Sequence, residues 1–327
     1  MAKLGSALGA AIGAELSSIT TTNRNAGMST ATGTIIYNST TEALEVYFGD
    51  PVGWQKVHGS GDGVTPFSAT GGTKTTDGAY TVHTFTSTGP FVLTGGPPAG
   101  VELTIMAVGG GGGAFARGGG GGAPAILVKK EGVQPGTYTM TVGGGGASSS
   151  AGGQTIAFDG QGFNEVVNGG GTGRASPAPI TYGQIGGDCP PSQANDIGNA
   201  WGGFVAGDNT PGWAQYYRGV GGAGARNNGL TNVPTGADGV LLTTDGNSYY
   251  YGGGGGGGAA VYAGPGGAGG KGGGGGGSGP SGPRAGDTNG RNAGGSPGTG
   301  GANTGGGGGA TNNAGGSGII IIRYLTT

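Results

Sequence analysis

Short stretches of alternating apolar and polar residues recur along the chain, and most of them hand over directly to a run of glycine. The segments VELTIMAV (101–108) and TYTMTV (137–142) put apolar side chains at every second position. In the latter Tyr138, Met140 and Val142 share one face and the threonines the other. That is the period of a half-buried β-strand. PAILVKK lies between them and reads as a third strand. YTVHTFTSTGPFVLTG (80–95) predicts two strands about a turn at Gly89 and Pro90. The closing GSGIIIIRYLTT holds four consecutive isoleucines, the pattern of a strand buried on both faces. Nearer the start, TIIYN, LEVYF and WQKV predict a small β-module over 28–58, turned at NSTTEA and GDPVG.

A helical period is found only at the N-terminus. Leu4, Leu8, Ile12, Leu16 and Ile19 recur at i+4 and i+3, which predicts one apolar stripe on a helix over 3–19. Gly5, Gly9 and Gly13 weaken that helix by up to ~1 kcal/mol each relative to Ala. It therefore needs a partner: copies of itself, a receiving protein, or its own domain. The chain divides into an attachment or oligomerisation segment (1–27), the β-module (28–58), a polar linker (59–79) and a glycine-rich domain (80–327). The last carries a loop insertion over 174–251.

Composition sharpens the question of what the glycines do. Of 327 residues, 92 are Gly and 17 are Pro, a density that ordinarily marks low-complexity chain. Only 9% are charged, however, whereas disordered chains are usually rich in charge. Near-pure glycine tracts occupy 109–113, 118–122, 143–146, 169–171, 252–258, 272–277 and 305–309. A polyproline-II-type helix has three residues per turn, a rise of ~3.1 Å and no internal hydrogen bonds. Packed side by side, such helices can pair their outward-pointing N–H and C=O groups with one another, provided no Cβ stands between them. The tracts are thus candidates for buried rods, and the seven glycines of 252–258 would span roughly 22 Å. From Gly264 to Arg284 glycine also falls at every third position. A collagen stem would need that period sustained and far more proline.

Two resemblances follow. The pattern GTIIYNSTT, LEVY, GWQKV in 33–57 resembles a small β-module found near the ends of many bacteriophage tail-fibre and virion proteins. The span 80–327 resembles the glycine-rich domain of phage tail and adhesin-like proteins, through TVHTFTSTG (81–89), VELTIMAVGGGGG (101–113), PGTYTMTVG (135–143) and GGSGIIIIRY (315–324). The resemblance implies a mostly β fold: a β-sandwich-like domain continued by packed polyglycine II helices. It also implies a location in a virion tail or fibre, and a role in host recognition.

The remaining chemistry points away from catalysis. GxGxxG matches are scattered without the strand–turn–helix context of a dinucleotide site, and PGGAGGKGG lacks the first Gly and the Ser or Thr of a phosphate loop. His58 and His83 lie in different modules. Cys189 is the only cysteine, which excludes an intrachain disulfide and a cysteine-based zinc cluster. Acidic residues have no EF-hand spacing, and no metal or cofactor is expected. The net charge of −2 offers no field for nucleic acid. No apolar run approaches the ~20 residues of a membrane span. Asn38 begins an N-glycosylation sequon, relevant only in a cell that glycosylates.

Where glycine thins, aromatic residues gather: Trp201, Trp213, Tyr216 and Tyr217 beside Asp208 and Asn209, then Tyr249, Tyr250 and Tyr251 at the mouth of the seven-glycine tract. This is the composition of a paratope or sugar-binding surface. It is equally that of a small core covering a block that has no side chains of its own. The expected function is a non-enzymatic fibre or tail-tip protein binding a cell-surface glycan or outer-membrane protein. The alternative is a structural subunit of a virion or extracellular filament, a homo-oligomer whose N-terminal stripe inserts into its neighbour.

Overall fold

In the computed structural model the described residues are 18–26, 31–49, 53–56, 67–175, 184–185, 197–201, 222–226, 234–259, 265–279, 281–295 and 298–326. The chain forms two compact units, 1–65 and 66–327, and is mostly β.

The first unit is a four-stranded sheet in the order β1 (Ser18–Ile19), β2 (Ile35–Asn38), β3 (Ala43–Tyr47), β4 (Trp54–Lys56). One short helix, α1 (Thr21–Asn25), is capped by Thr20, whose hydroxyl accepts from the Asn23 N–H at 3.2 Å. One face of the sheet is closed around Glu45. This buried carboxylate accepts from Asn38 Nδ2 and Thr41 Oγ1, both at 3.0 Å, and from the Arg24 guanidinium. Burial alone would raise its pKa; these three donors hold it below the usual carboxylate range.

The N-terminal expectation changes here. Residues 1–17, with Leu4, Leu8, Ile12 and Leu16, lie outside the described residues. Ile19 is not helical: it pairs with Asn38 in the parallel β1–β2 ladder. The backbone amides of this segment therefore pair with a neighbouring strand, which takes Ile19 out of the apolar stripe.

The second unit contains β5 (Ser68–Thr70), β6 (Thr73–Asp77), β7 (Tyr80–Phe85), β8 (Gly89–Thr94), β9 (Val101–Val108), β10 (Ala125–Val133), β11 (Gly136–Thr141), β12 (Thr155–Asp159), β13 (Glu165–Val167), β14 (Arg174–Ala175), β15 (Gln184–Ile185), β16 (Ile197–Trp201), β17 (Val240–Leu242), β18 (Tyr249–Tyr251) and β19 (Ile319–Leu325). Two antiparallel sheets, β16-β10-β9-β19-β7-β6 and β13-β12-β11-β8-β5, share one apolar cluster. Leu103, Ile105, Ile126, Ile320 and Ile322 face Phe91, Leu93, Tyr138, Met140 and Phe158 there. The other face of the six-stranded sheet carries Met106, Val108, Ile319 and Ile321 into a second cluster. All four isoleucines are fully buried, two on each face of β19.

Two boundaries differ from the sequence reading. The stretch 59–79 is not all linker, because β5 and β6 are the outer strands of the two sheets. Their side chains are mostly exposed and polar, so no alternation marks them. Between them Gly71 and Gly72 cross from sheet to sheet with φ of +112° and +59°; a Cβ at Gly71 would sit 2.0 Å from the Pro90 carbonyl oxygen. The bend expected at Gly89 and Pro90 falls instead over 86–88, and β8 starts at Gly89. The insertion 174–251 is woven into the domain as well: β16 pairs with β10, and 222–225 and 234–237 bond to glycine tracts.

The glycine tracts belong to no helix or strand, yet 109–114, 118–123, 252–258, 272–277 and 304–310 are buried throughout. Their hydrogen bonds follow a three-residue rule. Gly109 and Gly112 donate to Pro124 and Gly121, Gly110 and Gly113 to Gly153 and Ser150, Gly111 and Ala114 to Gly316 and Asn313, all at 2.8–3.2 Å. In return Gly170 and Gly173 donate to Gly110 and Gly113, Gly146 and Ser149 to Gly111 and Ala114, and Gly308 to Gly112. Six different stretches thus surround 109–114.

The tract 252–258 repeats the arrangement. Gly253 and Gly256 donate to Gly272 and Gly275, Gly254 and Gly257 to Ala237 and Pro234, Gly255 and Gly258 to Gly120 and Arg117. It accepts from Gly222 and Ala225, from Gly307 and Ala310, and from Gly267 and Gly270. Where the chain reverses before 273–277, Asp287 binds the N–H groups of Gly272 and Gly273 at 2.8 and 3.0 Å, together with those of Gly290 and the Asn289 amide. Burial opposes its charge, and these donors outweigh burial and lower its pKa.

Such packing leaves no room for side chains. A Cβ on Gly255 would lie 1.9 Å from the Gly308 carbonyl oxygen, whereas one on exposed Gly144 meets nothing within 4 Å. Gly255→Ala is therefore expected to destabilise the second unit by more than about 4 kcal/mol or to unfold it, and Gly144→Ala to stay within about 0.5 kcal/mol of the parent. Urea unfolding midpoints measure both, and equal tolerance at the two sites would refute a packed tract.

Candidate surface at the tyrosine hairpin

The strands β17 and β18 form an antiparallel hairpin that places Tyr249–Tyr251 at the entrance of the seven-glycine tract. Its turn is set by TTDGN. Gly246 takes φ +83° and donates to the Thr243 carbonyl at 3.1 Å, and Asp245 Oδ1 accepts from the Asn247 N–H at 3.2 Å. Strand alternation then separates the side chains. Val240, Leu242 and Tyr251 enter the second apolar cluster, with Tyr249 packed at its margin. Leu241 pairs with Tyr250 across the ladder on the outward face.

That outward face is the candidate functional surface. Leu241 is 42% exposed and Tyr250 half-buried. The Lys271 ammonium lies 5.3 Å from the Tyr250 ring centroid, within cation–π range. Asp238 accepts from the Lys271 backbone N–H at 2.9 Å, and its other oxygen is 3.9 Å from Lys271 Nζ. The Tyr250 N–H donates to the Asn289 carbonyl, which ties the strand to the glycine block. The result is a Leu–Tyr plate with an exposed cation and carboxylate beside it, on a backbone pinned from both sides. It can stack against a sugar ring or an apolar side chain and hydrogen bond at its rim.

The neighbouring charges serve internal packing. Arg291 pairs with Asp245, lies 5.9 Å from the Tyr249 ring and hydrogen bonds with the Tyr251 hydroxyl. Arg323 stacks 3.7 Å over Tyr80 and pairs with Asp77 at 3.2 Å. His83 is fully buried. Its Nδ1 lies 2.7 Å from the Gly71 carbonyl, which can only accept, so Nδ1 carries the proton and Nε2 accepts from the Tyr324 hydroxyl at 3.0 Å. Burial lowers its pKa and keeps the ring neutral. Among the described residues no group of His, Cys, Asp or Glu is arranged to hold a metal, and no helix is long and apolar enough to cross a membrane.

The tyrosines expected to act together are divided. Tyr251 is 1% exposed, a core residue rather than a contact residue, because the alternation that turns Tyr250 outward turns Tyr251 inward. Trp201 ends β16, opposite Ala125. Trp213, Tyr216, Tyr217, Asp208 and Asn209 lie outside the described residues. Leu241, Lys271 and Asp238 were not singled out by sequence; VLL set against YYY across a TTDGN turn is the signal that identifies Leu241. No protein family matches the chain, and no curated protein or solved structure is significantly similar to it.

Burial pushes the Tyr251 phenol from 10.0 up to about 12, against the Arg291 hydrogen bond, which pulls it down. The folded pKa is the higher one, so the associated stability is complete below pH 10 and is lost as pH rises towards 12. Two units correspond to roughly 3 kcal/mol. Tyr251→Phe is expected to lose about 1 kcal/mol at neutral pH and to show a shallower alkaline decline. Urea midpoints between pH 8 and 12 test this, and parallel pH curves for the two proteins would contradict it.

Proposed function

We propose that this chain is a non-enzymatic virion fibre or tail-tip protein whose glycine-rich domain is a rigid block of polyglycine II helices continuing a β-sandwich-like base. The observation that carries this reading is the three-residue rotation of hydrogen-bond partners around 109–114 and 252–258. A threefold helix offers its N–H groups in three directions 120° apart, and six neighbours then satisfy donors and acceptors together. Such a block holds loops rigidly, and binding on preformed loops avoids the entropy of ordering them.

In this reading the outward hairpin face, Leu241 and Tyr250 with Lys271 and Asp238, contacts a cell-surface glycan or outer-membrane protein. Trp201, Trp213, Tyr216, Tyr217, Asp208 and Asn209 are the further contact candidates. Stacking and hydrogen bonding suffice; no chemistry is required. The protein would be located in a tail or fibre and joined to other virion proteins, as a homo-oligomer.

Fluorescently labelled protein incubated with a panel of bacterial cells, with and without surface polysaccharide, tests the proposal. Saturable binding to at least one strain is expected. Tyr250→Ala and Leu241→Ser should each weaken it about tenfold, or about 1.4 kcal/mol, with unchanged urea midpoints. An absence of cell binding together with concentration-dependent fibres would overturn it in favour of a filament subunit.

A further inference from the structure

The sheet of the first unit has one finished face and one bare face. Ile36, Asn38, Ala43, Glu45 and Tyr47 point to the finished side and are buried. Ile35 and Tyr37 point the other way and are 49% and 37% exposed. Register pairs Ile35 with Val46 and Tyr37 with Leu44, so these four form a two-by-two apolar block. Phe48, 57% exposed, continues the alternation one residue past β3. Ser18 and Gln55 flank the block, opposite Tyr37 and Val46. A contiguous apolar patch with polar edges marks a surface that is covered by something.

We propose that this face is the seat of the chain's own residues 1–17. The segment leads directly into β1, whose Ser18 lies on the bare face at its edge. Its sequence supplies Leu4, Leu8, Ile12 and Leu16, one stripe at four-residue spacing, and only Lys3 and Glu15 among charged side chains. As a helix, the span from Leu4 to Leu16 is about 18 Å long. Four strands at ~4.8 Å spacing are about 14 Å across. Stripe and sheet therefore match in extent. Gly5, Gly9 and Gly13 follow three of the four apolar residues at the same spacing, about 100° further round the helix, so they add no bulk beside the stripe. A helix so rich in glycine is marginal alone, and the bare face supplies the burial it lacks. The stripe is then consumed within its own unit and does not serve as an exposed assembly hook. The inference is independent of the fibre proposal and is read by different measurements.

The test uses the full-length chain with Cys189→Ser. Ile12→Cys and Leu44→Cys are introduced together and the protein is oxidised. A disulfide within one chain is expected, seen as a monomer-sized band on a non-reducing denaturing gel and as a 12–44 linked peptide. No linkage, or linkage only between chains, overturns the proposal; the latter assigns the face to a second copy. Independently, Leu8→Asp in the full-length chain should free the face and raise the fluorescence of an apolar dye several-fold. Adding Ile35→Ser and Tyr37→Ser should return it to the parent level. Unchanged dye fluorescence in Leu8→Asp also overturns the proposal.

Discussion

Pairing every buried backbone N–H and C=O is the constraint on which this structure depends. In most domains helices and sheets meet it, and side chains supply the core. Here much of the interior is backbone alone, as in 109–114 and 252–258, so each tract must find partners in other stretches of chain. Glycine is required because the partners approach to where a Cβ would be: the Gly306 oxygen is 2.1 Å from that position at Gly111, and the Gly308 oxygen 1.9 Å at Gly255. The cost is conformational entropy, which is larger for glycine than for any other residue. Only a cooperative block, in which a tract such as 118–123 serves 109–114, 252–258 and 305–310 at once, offsets it.

The block is joined to the sheets through a graded boundary. On the outer face of the six-stranded sheet Val108, Ala125, Ile319 and Ile321 meet Ala123, Ala223, Ala225 and Tyr251. Alanine fits where a glycine tract faces apolar side chains, and glycine is needed where one tract's backbone faces another's. β9 runs directly into the tract 109–113 and β19 follows GGSG (315–318), so their central place in the sheet fixes where these glycine stretches meet it. The hairpin of β17 and β18 sits on this boundary. Tyr251 closes the cluster from inside, and Tyr250 is left on the outer surface above a backbone held by Asn289 and the glycine block.

Much of the sheet architecture was legible in the sequence because burial on two faces leaves a direct mark. The isoleucines of β19 and the alternation in β9 and β11 named their strands and their inward faces. β5 and β6 left no such mark, since outer strands with exposed polar side chains have nothing to alternate against. Ile19 was misread for a related reason: a two-residue strand is too short to interrupt a helical spacing that happens to run through it. The candidate surface was half visible. The tyrosine run marks the hairpin, but which tyrosine faces outward depends on pairing with Val240–Leu242, and Lys271 reaches Tyr250 from the next glycine-rich stretch, held by Asp238 just before β17.

The sequence by itself determined where backbone had to stand in for side chains, because seven consecutive glycines exclude a conventional core. It also determined which strands are buried on both faces, because hydrophobic period follows burial. The tertiary structure alone decided which tract bonds to which, since one glycine run carries no mark distinguishing it from another. It alone decided which of three identical tyrosines is core and which is surface, since that follows from the register of a ladder whose two strands are joined only through a turn.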